Sequence, residues 1–151
     1  MNPFKTNLIG RQIMGNLLNR ATAALPASTT GPLFTITGGR IVVLSILGEV
    51  TTAIQAQATT LKIKSTATVG AVATDLCATA DVNGLAVGKL LTITGTLATA
   101  LQTGSAVLRQ ASPIICPIGS IDLLTVATST GSVKWTLRWI PMDDLANVAV
   151  A

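Results

Sequence analysis

Few side chains of this sequence could do chemistry, and they are scattered. Histidine is absent, which excludes the Ser-His-Asp triad, the Cys-His pair and histidine-rich zinc sites. The neighbouring carboxylates Asp143 and Asp144 follow Pro141, but adjacent residues of an extended chain point to opposite sides and match two converging catalytic acids poorly. We interpret them as a helix or turn cap, or as a solvated end. The sequence therefore predicts no catalytic residue, no metal ligand and no cofactor.

The segment 81–84 resembles the start of a calcium loop, because oxygen-bearing Asp81 and Asn83 alternate before a glycine. The match then fails, since no closing glutamate lies near Lys89. Asn-Gly is a standard turn pair, so we predict a hairpin turn at this point. Gly38 and Gly39 lack the rest of a phosphate-binding loop and are also predicted to form a turn.

The two cysteines, Cys77 and Cys116, are too few for a four-thiolate zinc site or a disulfide framework. We predict two free, buried thiols that pack as small apolar residues, with a single disulfide as the alternative. Free thiols fit a protein made in a reducing cytoplasm.

Residues 132–139 alternate apolar and polar side chains, the pattern of a strand with one buried face. The opposite, polar face carries Lys134, Thr136 and Arg138, and the apolar face consists of Val133, Trp135, Leu137 and Trp139. We predict that the apolar set lies in the core or at a subunit interface. The alternative is a sugar-stacking platform built from the two tryptophans.

Charge is scarce in this chain. Charged residues make up 11% of the sequence, whereas a soluble domain usually carries about 25%. With 49% hydrophobic residues and a formal net charge of +4, the chain is expected to fold rather than to be disordered. Threonine and alanine, its most abundant residues, suit sheet surfaces that a partner subunit covers. We expect no secretory signal peptide, and the run 90–108 is too polar to predict a membrane span.

The formal net charge of +4 sits entirely before Glu49, the first acid of the chain. Such asymmetry predicts an arm, with Lys5, Arg11 and Arg20 as its binding residues, that reaches an acidic partner surface. The alternative is a solvated tail. Because aromatic residues make up only 3% of the chain, base stacking is not expected and nucleic acid is not a predicted partner.

Within this arm, Ile9, Ile13, Leu17 and Ala21 recur every four residues, which predicts a helical stripe. Two glycines weaken the helix, so the arm is predicted to be extended or partly helical. Segment 25–32 contains two prolines and no periodicity and is interpreted as a linker. We therefore divide the chain into an arm and linker, 1–32, and a β domain, 33–151. Removal of residues 1–24 is expected to leave a folded oligomer that no longer binds particles.

After the linker, short apolar runs alternate with turn residues. The candidate strands are 33–37, 40–47, 50–56, 61–64, 69–77, 85–94, 106–110, 121–127 and 132–139. Short strands at roughly even spacing predict an all-β fold, an antiparallel β-sandwich of the jelly-roll kind, with a barrel as the alternative.

Three stretches carry a resemblance to a known class of proteins. Residues 48–55 (GEVTTAIQ), 74–79 (TDLCAT) and 130–144 (TGSVKWTLRWIPMDD) resemble small structural proteins encoded among the virion genes of tailed bacteriophages. The resemblance covers about residues 21–151. It implies a capsid decoration or cement protein, a β-sandwich module that sits as a trimer on the head. It transfers no individual site residue.

We therefore expect a non-enzymatic virion protein, assembled in the host cytoplasm, that forms a homo-oligomer, specifically a trimer, and binds the major capsid protein. No small-molecule substrate and no membrane are expected. The first alternative keeps the phage context and places the protein at the neck or tail. The second is a carbohydrate-binding module that uses Trp135 and Trp139.

Overall fold

The computed structural model describes residues 14–151 of the protein. Every named element in that range is a β-strand, so the predicted all-β class is confirmed. The strands are β1 (Asn16–Ala24), β2 (Thr30–Thr37), β3 (Ile41–Thr52), β4 (Thr60–Ala67), β5 (Ala73–Asp75), β6 (Ala80–Asp81), β7 (Leu90–Thr92), β8 (Gln102–Gly104), β9 (Ile114–Cys116), β10 (Gly119–Thr125), β11 (Ser132–Pro141) and β12 (Asn147–Val150).

The strands form two antiparallel sheets. Sheet A has the order β1-β11-β3-β7-β8, and β9 also pairs with β3. Sheet B has the order β12-β2-β10-β4-β5, and β6 also pairs with β4. Both sheets therefore combine strands that are distant along the chain, because β11 inserts between β1 and β3, and β10 inserts between β2 and β4.

One hydrophobic cluster joins the two sheets. Sheet B contributes Phe34 and Ile63, sheet A contributes Ile46 and Leu137, and all four side chains are fully buried or nearly so. Alternation along each strand turns every second side chain towards this cluster and the others away from it. Each sheet consequently has an inner face in the core and an outer face.

The structure corrects the predicted end of a strand at Gly48. Strand β3 continues through this glycine to Thr52, so the predicted strands 40–47 and 50–56 belong largely to one element. A Cβ atom at Gly48 would lie 2.8–3.0 Å from ring carbons of Trp135 on the paired strand β11. The glycine therefore marks a close approach of a ring to the backbone rather than a turn.

The helical interpretation of the arm is wrong for residues 16–24, which form β1 and pair with β11 at the edge of sheet A. A spacing of four is a multiple of two as well as nearly one helical turn, so the pattern at Leu17 and Ala21 fits either element. Residues 16–24 form a strand because their backbone pairs with the edge of β11. Leu18 packs against the core, while Ile9 and Ile13 lie outside the described residues. Strand β2 runs across the boundary predicted between residues 32 and 33.

The predicted strand 106–110 is a loop between β8 and β9. Gln110 is buried in this loop, and its side-chain amide donates to the carbonyls of Val43, at 3.2 Å, and Ser112, at 2.8 Å. The loop is therefore attached to sheet A by a side-chain hydrogen bond and not by backbone pairing of a strand. The predicted strands 69–77 and 85–94 shorten to β5 and β7, and β6, β8, β9 and β12 are short strands that the sequence pattern did not indicate.

Candidate functional site

The structure places the apolar face of β11 in the core. Trp135 is 1% exposed and Trp139 is 6% exposed, and Val133 and Leu137 belong to the same buried cluster. A ring that stacks on a sugar must present a free face to solvent. Neither tryptophan does so, which leaves the carbohydrate-binding alternative without a surface.

The three basic residues assigned to the arm are not found together in the described chain. Arg20 lies in β1, opposite Trp135 in the ladder, and its Nε is buried without a hydrogen-bond partner among the described residues. An inward-turned charge on an edge strand opposes pairing with another chain. Lys5 and Arg11 lie outside the described residues.

The two adjacent aspartates have different surroundings. Asp143 accepts hydrogen bonds from three groups of Arg40: the backbone amide at 2.7 Å, Nε at 3.0 Å and Nη2 at 2.7 Å. These bonds lower the pKa of Asp143 to about 2. Asp143 thus binds the backbone amide of Arg40 and also forms an ion pair with its side chain, and sequence spacing could not indicate a partner 103 residues away. Asp144 is exposed and has no hydrogen bond or ion pair within residues 14–151.

The turn predicted at 81–84 is present, but it is not a hairpin. Asp81 accepts the backbone amide hydrogen of Asn83 at 2.9 Å, and Gly84 has a φ of 66° that suits glycine. The turn connects β6 of sheet B to β7 of sheet A. Across residues 14–151, no group of three or more acidic or cysteine side chains could hold a metal ion.

Cys77 and Cys116 are both free and buried, as predicted. Cys77 Sγ accepts the backbone amide hydrogen of Ile63 at 3.3 Å. Burial raises the pKa of Cys77, and it raises the pKa of Cys116 to about 11. Both groups therefore stay protonated near neutral pH and act as packing residues rather than nucleophiles.

The outer face of sheet A exposes several apolar side chains beside polar ones. The ladder places exposed Leu17 beside Arg138 and Ser45, and in the same way it aligns Ile140, Val42 and Ile115. Ile115 is 58% exposed, and Leu108, from the loop between β8 and β9, is 76% exposed. We call this face, together with that loop, the outer surface of sheet A.

Two adjoining clefts lie on the outer surface of sheet A. The first has a volume of about 360 Å³ and is lined by Met14, Leu44, Ser45, Arg109 and Arg138. The second, of about 270 Å³, shares Ser45 and Arg109 with the first and is otherwise lined mainly by Leu47, Leu90, Val107 and Leu108. Ser45 and Arg109 therefore lie where the two clefts meet, and Arg138 lines the first cleft beside them.

The outer face of sheet B is polar. Lys62 forms an ion pair with Asp75 at 2.7 Å across the β4–β5 ladder. Thr66 of β4 donates a hydrogen bond to Asp122 of β10, and Ser120 of β10 lies opposite Thr66 in the ladder. Both outer faces thus carry polar groups that pair with each other, since Lys134 pairs with Glu49 on sheet A, and sheet A also exposes apolar side chains and arginines.

Comparison with protein-family models, with curated proteins and with solved structures finds no match to this chain. Within the described residues, no helix is long and apolar enough to cross a membrane.

Proposed function

We propose that this chain is a non-enzymatic structural subunit of a bacteriophage virion, a capsid decoration protein that forms trimers through the outer surface of sheet A. The observation that carries the proposal is the group of exposed apolar side chains on the outer surface of sheet A. This surface exposes Leu17, Leu108 and Ile115 in a chain of which only 11% is charged. Exposed apolar side chains that gather on one face are typical of surfaces that bind another protein.

The fold supports an assembly role because its two sheets leave two outer faces that can contact other subunits. Two antiparallel sheets around one hydrophobic cluster are compatible with a β-sandwich, and we propose this architecture for the domain. The jelly-roll connection remains a prediction. A sandwich presents two flat outer faces, so one face can pack against sister subunits while the other stays in contact with solvent or with the shell.

The proposed partner in the particle is the major capsid protein. Lys5 and Arg11 lie in a stretch without any acid, and we assign them to an acidic patch of that partner. Arg20 lies in β1 at the edge of sheet A, and its contribution to this contact stays a prediction. Opposite charges on two surfaces accelerate and orient docking, and this effect weakens as salt rises.

Location in the particle tests the proposal. Purified virions of the phage that encodes the chain are analysed by mass spectrometry and by immunogold labelling with antibodies against the recombinant protein. We expect the chain in virions, with label over the head. Label confined to the neck or tail would support the first alternative instead, and absence of the chain from virions would refute a structural role.

A further inference from the structure

Arg109 and Arg138 line one cleft and lack a carboxylate partner. The ion pairs within residues 14–151 join Arg40 to Asp143, Lys62 to Asp75 and Lys134 to Glu49, and neither cleft arginine is among them. Arg138 donates from Nη1 to the carbonyl oxygen of Met14 at 2.8 Å, which orients its guanidinium without neutralising it.

The N-terminal residues of the same chain cannot supply that carboxylate. Residues 1–13 contain no aspartate or glutamate. All six acidic side chains lie from Glu49 onward, in the described part of the chain. Two guanidinium groups in a cleft thus create a local excess of positive charge that an external anionic group would balance.

The walls of the cleft restrict the chemistry of its occupant. Leu44 and Met14 line the first cleft, and four of the eight residues that line the adjoining groove are leucine or valine. A polyphosphate would place further charged oxygens against these apolar walls, and burying them there would cost free energy. A single carboxylate followed by an apolar side chain matches both parts of the surface.

The chain itself carries a segment of that kind. The 142–146 loop, between β11 and β12, exposes Asp144 and then Leu145, which is 80% exposed. The loop is held in place by the Arg40–Asp143 bonds, by a bond from the Met142 amide to the Arg40 carbonyl at 3.0 Å, and by a bond from the Ala146 amide to the Asp143 carbonyl at 3.0 Å.

Gly38 adds a further restraint on this loop. A Cβ atom there would lie 2.0 Å from the carbonyl oxygen of Leu145, so the glycine lets the β2–β3 turn pack directly against the loop. The backbone that carries the exposed acid and the exposed leucine is therefore restrained before binding. Little conformational entropy is then lost when they bind a partner.

We propose that the 142–146 loop of one copy docks in the arginine cleft of a second copy, with Asp144 binding Arg109 and Arg138 and Leu145 entering the apolar groove. This contact rests on the proposed function, since it identifies the surfaces through which the subunits assemble. Each copy gives one loop and one cleft, so the contact is head-to-tail and closes when copies form a ring, as three copies do in a trimer.

A charge swap tests the contact in the full-length protein. Self-association of R109E, D144R and the double variant R109E/D144R is measured by sedimentation velocity over a range of concentrations. Each single variant places like charges together, so we expect each to weaken association about tenfold or more. The double variant restores an opposite pair at the same formal net charge and is expected to recover most of the association.

The matched control makes the same charge change at a base outside the first cleft instead of at the cleft arginine. Lys89 bonds to Ser105 at 2.6 Å outside the first cleft. The variant K89E/D144R has the same formal net charge as R109E/D144R but lacks the complementary pair, and it is expected to stay as weakly associated as D144R. A thermal melt of every variant verifies that the fold is intact.

Three results would overturn the inference: a monomeric wild-type protein, single variants that associate like wild type, or equal recovery in the Lys89 control. Binding of inorganic phosphate is also measured for wild type and R109E. If R109E loses phosphate binding while its self-association is unchanged, the cleft binds an outside anion instead. Immunogold labelling of virions tests the proposed function independently of this contact. A chain found on heads whose association ignores Arg109 and Asp144 would refute this contact and leave the proposed function standing.

Discussion

Gly48 determines how closely the ring of Trp135 approaches β3. A Cβ atom at this position would lie 2.8–3.0 Å from three ring carbons, a separation that needs the ring or the strand to move. Replacing glycine by alanine usually stabilises an extended position by about 0.4–1 kcal/mol. Here we expect the reverse, because overpacking a core costs about 1–3 kcal/mol.

The prediction is that G48A lowers the free energy of unfolding, measured by urea denaturation, by about 1–3 kcal/mol. The control is the same substitution in a W135F background. Phenylalanine lacks the outer ring that carries the clashing atoms, so Gly48→Ala should cost less there, and the double-mutant cycle should show coupling. A G48A protein as stable as wild type would show that the ring does not constrain this position.

The stability of the folded protein is expected to depend on pH through Asp143. Hydrogen bonds from Arg40 lower its pKa from 3.8 to about 2. A carboxyl group with a lowered pKa in the folded state stabilises the fold above its unfolded pKa and loses that contribution as pH falls towards the folded value. The contribution of Asp143 is therefore complete above pH 3.8 and disappears towards pH 2.

We predict that D143N melts at a lower temperature than wild type near neutral pH, and that the difference shrinks as the pH falls through this window. Thermal unfolding followed by circular dichroism at several pH values measures it. R40Q removes the same pair from the other side and should show the same convergence. Because Arg40 is exposed, salt should also reduce the difference. A gap between wild type and D143N that does not change with pH would contradict the assignment.

At the scale of elements, β1 is the strand whose role differs most from the expectation. Its removal would expose the backbone edge of β11 and uncover core side chains next to Leu18. An uncovered long edge strand also promotes aggregation. The expected folded oligomer after loss of residues 1–24 is therefore replaced by a different prediction.

We predict that a protein lacking residues 2–24 aggregates or melts at a lower temperature than both the full-length protein and a protein lacking only residues 2–13, because only the longer deletion removes β1. Thermal unfolding and light scattering measure both. The shorter deletion also serves as the control for loss of Lys5 and Arg11, and its binding to particles should weaken. Equal melting of the 2–24 deletion and the full chain would show that β1 contributes nothing to the sheet.

The strand prediction was clearest where apolar and polar side chains alternate strictly over a long stretch. Residues 132–139 predicted β11 because four apolar side chains alternate with polar ones. Strands of two to four residues, such as β6 and β12, are too short to show alternation, and backbone pairing with β4 and β2 creates them. Segment 106–110 has the composition of a strand, but Gln110 takes its bonds through a side chain instead.

At the scale of the whole molecule, the candidate surface was only partly predictable. Scarce charge predicted a covered sheet, and Arg138 was already placed on the polar face of β11. Arg109 carried no signal, because it becomes relevant only where the loop between β8 and β9 meets sheet A. Asp144 could be separated from Asp143 only once Arg40 was seen to bind the latter.

The sequence by itself determined the all-β class, the inward face of β11, the free thiols and the turns at Gly38–Gly39 and Asn83–Gly84. These features depend on composition or on neighbouring residues, where a period of two and the backbone freedom of glycine act directly. Only the tertiary structure decided that residues 16–24 form a strand, that Arg40 pairs with Asp143, 103 residues away, and that two arginines share a cleft. Each of these depends on which distant segments pack together, and that choice is made by the free energy of the whole core and its ladders rather than by any local pattern.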